Sequence, residues 1–351
     1  TGNTALRLCG GVYGLASSDS GVSGDLTVSG NALGCQTIDD VIASAGALPE
    51  RKAYCYAPGD IVLVNQEEVD NFQTTYGPCD TTMYGLAIGP SNPASNITTL
   101  SGLAGLKTVQ GDLSIRNNWN LVGTESLSGL ERLEGSLYVY SNAHRNSGSF
   151  LELSFPKLSF VEGSISVDDN TDYRLRGFSA NALTSLGGSL WISPAWTLTS
   201  LSLSSLEEIG ASLWIRQTVL ADLSGLSSLK TGGADILIED NQELRQIDGL
   251  SALTSVNGLL EITGNRALRN VDGLSNVTTA GGNVSISNNR ELRNLDGLSS
   301  LTSVSGTLRV QGNPSLPDVD GLSALLSVGG DFTLTGNTAL RLCGGVYGLA
   351  S

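Results

Sequence analysis

A 24-residue internal repeat constrains this chain more than any other feature. Asn241, Asn265, Asn289, Asn313 and Asn337 fall at that interval, and each closes the pattern small-x-Leu-x-Ile-x-x-Asn, as in Gly258-Leu259-Leu260-Glu261-Ile262-Thr263-Gly264-Asn265. The same frame runs upstream with looser spacing through Asn31, Asn118, Asn142 and Asn170. Two apolar columns accompany the asparagines. The first reads Leu26, Leu113, Leu137, Ile165, Leu190, Leu213, Ile236, Leu260, Val284, Leu308 and Phe332, and the second lies two residues further on, from Val28 to Leu334. A period of two places both columns on one buried face of a strand. Two more apolar segments follow each asparagine, as in Leu292-x-x-Leu295-Asp296-Gly297-Leu298 and Leu301-x-x-Val304, so each coil has three short sides.

A coil of this length cannot bury its own apolar face; neighbouring coils must stack and pair their strands in parallel. The architecture also removes the usual size limit on one core, since a solenoid core grows lengthwise. Leu, Val and Ile must fill it, because aromatic residues make up 5% of the 351-residue chain and Met occurs once, whereas glycine occurs 44 times. The weakest places are expected at the two ends. The asparagine column is expected to turn inward and bond the backbone of the tight turns as a ladder, with an irregularity at Ala195 and Thr218, where the asparagine is missing.

The phrase Asn-Leu-Asp-Gly-Leu-Ser-Ser-Leu-Thr-Ser-Val-Ser-Gly-Thr-Leu-Arg-Val at 294–310 resembles the receptor L domain, a leucine-rich-repeat-like solenoid of receptor ectodomains and microbial surface proteins. The resemblance covers roughly 100–351 and is weak over 36–100. It implies an extracellular location and no catalytic residues. The expected fold is therefore an all-β, right-handed parallel β-solenoid (β-helix, leucine-rich-repeat-like). The expected organisation is solenoid coils over 1–35, an irregular disulfide-containing insertion with two poorly formed coils near 59–66 and 84–91 within 36–100, and a regular solenoid over 101–351.

Residues 1–17 recur without change at 335–351, an offset of 334 residues. Asn337 holds in the last coil the place that Asn3 holds in the first, so a chain continued past Ser351 would enter a second copy in frame. Two readings follow: a longer chain of 334-residue units, or separate chains overlapping head to tail. Either describes a fibre whose terminal coils recruit the next unit. About 13 coils per unit at a strand spacing of roughly 4.8 Å predict an axial repeat on the order of 60 Å.

Five cysteines are present, and Cys343 is the duplicate of Cys9. Cys9 and Cys35 fall on facing sites of adjacent coils, which predicts Cys9–Cys35 and leaves Cys55–Cys79; Cys343 would then pair with Cys35 of the following unit. The cysteine spacings match no zinc pattern, and the lone His144 is remote in sequence, so no metal and no cofactor is expected. Asn96, Asn276 and Asn283 each open an Asn-x-Ser/Thr triplet, which carries meaning only in a secretory compartment.

A net charge of −15 excludes the basic face that nucleic acid requires, and no apolar run is long enough for a membrane helix. Catalytic constellations are missing as well: there is one histidine, no phosphate-binding glycine loop and no nucleophile motif. Two columns remain. Tyr138, Ser166, Trp191, Trp214 and Leu237 form an outward strip, fit for sugar rings or a neighbouring filament unless residues 171–184 fold over it. Asp248, Asp272, Asp296 and Asp320 recur once per coil before glycine, either as turns in which the aspartates bond nearby amides, with Arg245, Arg269 and Arg293 offsetting the repulsion, or as a Ca²⁺ site. The expected function is a structural subunit of an extracellular filament, with copies of itself end to end as partners; the alternative is a ligand- or glycan-binding ectodomain.

Overall fold

Alternating apolar residues give the strands, and the regular spacing of the repeat stacks them. A computed structural model describes residues 53–92, 94–142, 151–168, 175–341 and 346. From Tyr54 onward the chain is a parallel β-solenoid. Its longest sheet has twelve strands in chain order. These are β1 (Ile61–Leu63), β2 (Leu86–Ile88), β3 (Leu113–Arg116), β4 (Leu137–Tyr140), β5 (Ile165–Asp168), β6 (Leu190–Ile192), β7 (Leu213–Arg216), β8 (Ile236–Glu239), β9 (Leu260–Thr263), β10 (Val284–Ser287), β11 (Leu308–Gln311) and β12 (Phe332–Thr335). All pairs are parallel, and the two apolar columns align as Cα partners, for example Leu260 with Val284 and Ile262 with Ile286.

A second side carries two-residue strands. Seven of them, from Tyr54–Cys55 to Glu208–Ile209, form one sheet, and four, from Ser255–Val256 to Ser327–Val328, form another. Thr231 bridges the two sheets by pairing with Glu208 on one side and Ser255 on the other. The third side changes along the molecule. In the first described coil it holds two short helices, α1 (Gln66–Asp70) and α2 (Phe72–Tyr76); then two 3-10 turns (Ser101–Leu103 and Glu125–Leu127); in the middle, three strands (Leu151–Ser154, Leu175–Ser179 and Ser200–Ser202); and beyond Leu223 again 3-10 turns, such as Asp248–Leu250 and Asp272–Leu274.

The core is the interior of the stack. Leu113, Ile115, Leu137, Val139, Leu260 and Ile262 are fully enclosed, each stabilised by about 1.5–3 kcal/mol of apolar burial. The two strands expected to be poorly formed are regular members of the sheet: β1 pairs in register with β2, and β2 with β3. Between them α1 starts with a reciprocal cap. The Asn65 side chain accepts from the Glu68 amide at 3.0 Å, while Glu68 accepts from the Val64 amide at 2.7 Å. Cys55 and Cys79 are joined by a disulfide with Cα atoms 5.0 Å apart. Cys9, Cys35, Cys343, Asn31, Asn170 and His144 lie outside the described residues.

Candidate functional site

The chemistry of the molecule lies on the surfaces where one coil stacks on the next. The asparagine column is buried and forms a continuous inner ladder. Each backbone amide donates to the side-chain oxygen of the next coil's asparagine: Asn241 to Asn265 at 3.0 Å, Asn265 to Asn289 at 3.0 Å, Asn289 to Asn313 at 2.9 Å and Asn313 to Asn337 at 2.9 Å. Each side-chain amide donates backward to a carbonyl of the preceding coil, Asn289 to Ile262 at 2.8 Å and Asn337 to Val310 at 2.9 Å. Asn118 and Asn142 do the same with Ile88 and Ile115. One residue thus satisfies a donor and an acceptor that no strand ladder reaches.

At the expected lapse the ladder adapts. Thr218 takes the place, donating its hydroxyl to the Asn241 side chain at 2.8 Å, and Ala195 bonds through its backbone, its amide donating to the Gln217 carbonyl at 3.1 Å. At the other end Ser95 substitutes, with its hydroxyl 2.7 Å from the Asn118 oxygen. The residue before each ladder position sits in the left-handed region, as in Asn117 (φ 53°), Asp240 (φ 54°), Asn288 (φ 59°) and Gly312 (φ 67°). The dipeptides Asn-Asn, Asp-Asn and Gly-Asn at these sites were the available signal, and the sequence reading did not use it.

A second, outer ladder was missed entirely. Before seven of the long-sheet strands the residue that precedes the strand accepts, with its side-chain oxygen, from the amide one coil further on. Ser136 accepts from Ser164 at 3.0 Å, Ser164 from Ser189 at 3.0 Å and Ser189 from Ser212 at 3.2 Å. Asp60, Asp112, Asp235 and Asn283 do so with Gly85, Ser136, Leu259 and Thr307. Its only sequence signal is a column of short oxygen-bearing side chains, which in a serine-rich chain does not stand out.

The Asp-Gly column forms turns, but not as expected. Asp248, Asp272, Asp296 and Asp320 each open a 3-10 turn, and in three of them the aspartate's backbone amide donates to the side chain two residues earlier: Asp272 to Asn270 at 3.2 Å, Asp296 to Asn294 at 3.1 Å and Asp320 to Asp318 at 3.2 Å. The aspartate side chains accept no amide hydrogen bond among the described residues. Nor do Arg245, Arg269 and Arg293 pair with them there; they stack as a separate exposed column through their backbones, Arg293 to Arg269 at 2.9 Å. Burial, and then repulsion from Asp248 and Asp296, push the Asp272 carboxyl above its usual range. The Asp222 carboxyl is held below its usual range by hydrogen bonds from the Ser224 hydroxyl and amide. Among the described residues no group of three or more His, Cys, Asp or Glu stands close enough to hold a metal, so the Ca²⁺ reading has no geometry behind it.

The glycine after each of these aspartates explains the tight turn. A Cβ on Gly249, Gly273 or Gly297 would lie 1.8–1.9 Å from the carbonyl oxygen of Leu223, Ile247 or Val271 in the preceding coil. Only glycine lets the coils approach that closely.

The aromatic strip is in register: Tyr138, Ser166, Trp191, Trp214 and Leu237 are successive Cα partners. Trp191 and Trp214 pack on each other with ring centroids 3.9 Å apart, and the Trp214 indole donates to Glu239 at 2.9 Å, so both are half-buried while Tyr138 is exposed. Residues 175–179 pair on the third side instead of covering the strip. The triplet asparagines Asn96, Asn276 and Asn283 are all exposed. Among the described residues no helix is long and apolar enough to cross a membrane.

The last described coil differs from all others. Phe332 and Leu334 are only half-buried, whereas their counterparts Leu308 and Val310 are fully enclosed, and Leu326 is 70% exposed. No family model matches this chain, and no curated protein is significantly similar to it.

Proposed function

We propose that the chain is a structural subunit of an extracellular filament, in which the last coil of one unit receives the first coil of the next. The observation that carries this reading is the in-frame recurrence of 1–17 at 335–351, where Asn337 stands in the place of Asn3. Among the described residues Phe332 and Leu334 are half-buried, and the strand Phe332–Thr335 pairs with β11 alone, which leaves an edge that a further coil of the same frame would fit. The segment that would cover it is written in the chain: 335–351 repeats 1–17, so the coil that follows Asn3 in one unit is in frame to follow Asn337 in another. The buried Asn337 would then donate its amide to Asn31 of the next unit, extending the inner ladder. The Cys55–Cys79 disulfide supports an oxidising compartment.

Electron microscopy of the purified chain tests this. Filaments with an axial repeat on the order of 60 Å are expected from 13 coils per unit. Leu334→Asp, which places a charge on the stacking surface, is expected to leave isolated particles with an unchanged β-sheet spectrum. Isolated particles from the unmodified chain at every concentration would remove the proposal.

A further inference from the structure

The outward face of the first four long-sheet strands carries a trough of about 780 Å³ that the stacking of coils does not use. Its floor is made of the small residues Ala87 and Ser114, which are Cα partners, and the larger Val62 and Tyr138 stand on the neighbouring strands at either end. Met83 and Tyr84 rise along one side, and both are about half exposed, at 50% and 45%. Exposed aromatic and apolar side chains gathered around one depression are unusual on a chain with so few aromatics, and such patches mark recognition sites.

The polar groups of the trough are held in place. Asp60 and Asp112 each accept a coil-to-coil amide with one carboxylate oxygen, at 2.9 and 2.7 Å, which fixes the carboxylate and leaves its second oxygen as an acceptor. Opposite them Arg116 donates to the Tyr140 hydroxyl at 3.1 Å. On the floor the Ser114 hydroxyl oxygen is buried and has no hydrogen-bond partner, a state that folded proteins avoid unless something else satisfies it.

We propose that this trough binds a neutral saccharide chain. Sugar rings offer apolar faces to Tyr84 and Tyr138, and their hydroxyls donate to the fixed carboxylates of Asp60 and Asp112. Charge selects among saccharides: Asp60, Asp112 and Glu134 outnumber Arg116 in the lining, which disfavours uronate and sulfated chains. A basic peptide fits less well, because Arg116 stands within the trough and Glu134 is already 3.2 Å from Arg132. The proposal does not depend on filament formation.

The test is calorimetric titration of the whole chain with hexasaccharides of β-linked glucose, N-acetylglucosamine, xylose and mannose, and with hexalysine. At least one hexasaccharide is expected to bind, and Tyr84→Ala and Tyr138→Ala are each expected to weaken it about tenfold. Both side chains are exposed, so their removal leaves the core intact; an unchanged melting temperature confirms this. Leu326→Ser, far along the stack, is the control and is expected to bind normally. Three results would overturn the proposal: no binding of any hexasaccharide at millimolar concentration, undiminished binding by both tyrosine variants, or binding of hexalysine alone.

Discussion

Two stretches of the same solenoid solve the third side of the coil differently. Between β8 and β12 every coil has the same length and turns through a 3-10 element opened by Asp-Gly-Leu. From Leu151 to Arg216 the coils vary in length and the third side is a strand. The long sheet is indifferent to the change, since Leu213 pairs with Ile236 across the boundary as Leu260 does with Val284. What differs is the residue that faces the preceding coil. Where glycine stands there, a carbonyl can approach its Cα closely and the chain tightens into a 3-10 turn. In the middle coils apolar residues alternate, as in Leu151-x-Leu153-x-Phe155, and pack against Leu175 and Phe178; the Phe155 and Phe178 rings lie 6.1 Å apart. In the regular coils the 3-10 side is thus permitted by a missing side chain, and in the middle coils the strand side is built by side chains that are present.

The sharpest way to break this comparison is to add one methyl group. Gly273→Ala puts a Cβ 1.9 Å from the Ile247 carbonyl oxygen, a backbone atom that cannot swing away. Destabilisation of about 3 kcal/mol is expected, from overpacking and displaced coils. In the middle region Gly177→Ala meets only the Glu152 carboxylate, the far end of a flexible side chain, and should cost less than about 1 kcal/mol. Urea midpoints of the two variants decide the matter. Equal shifts would mean that the glycine does not set the geometry of the third side.

The inner ladder gives a second contrast. Asn289→Ala removes the acceptor of the Asn265 amide and the donor to the Ile262 carbonyl, leaving two buried groups unpaired. A loss of about 2–3 kcal/mol is expected. Thr218→Ala removes a hydroxyl whose bonds are to Asn241 and, at 3.4 Å, to the Leu220 amide, and about 1 kcal/mol is expected. Hydrogen exchange should show the same order locally, with the Asn265 amide losing more protection in its variant than any amide near Leu220 does in the other.

The difference between the regions also explains what could be read from the residues alone. Leu and Ile columns two apart, and an asparagine once in every coil, specify a strand and a turn by period, so the parallel solenoid was legible. Asp-Gly was ambiguous because its meaning depends on the coil before it: the glycine serves a carbonyl contact between coils, and the amide bond belongs to Asn270 or Asn294, two residues earlier. Thr218 and Ser95 were illegible as ladder members because their hydroxyls join the ladder through Asn241 and Asn118, one coil away. The trough was hidden for a similar reason. Ala87 and Ser114 are ordinary strand residues in sequence, and only strand register sets them side by side between Val62 and Tyr138.

The smallest effect separates the boundary coil from the regular one by pH. The Asp222 carboxyl is lowered by bonds from Ser224, so its ionised form stabilises the fold; that contribution is present above the unfolded pKa and is lost as pH falls through the folded one. Asp272 is the reverse case, since burial and the neighbouring carboxylates raise its pKa. Its folded form holds the proton more tightly, so stability falls as pH rises from the unfolded pKa through the folded value, and the penalty is complete above it. At neutral pH Asp222→Asn should therefore lower stability and Asp272→Asn should raise it. Each change should stay below about 0.5 kcal/mol, because both groups are largely exposed and screened. Below the lower of each group's pKa values the charge-dependent part of both differences should vanish. High salt should shrink the gain at Asp272 more than the loss at Asp222, because repulsion between exposed carboxylates is screened while a hydrogen bond at 2.9 Å is not. Melting temperatures of the two variants across pH and salt would show this crossing, and a common sign at neutral pH would mean that the aspartates of the regular coils do not repel one another along the stack.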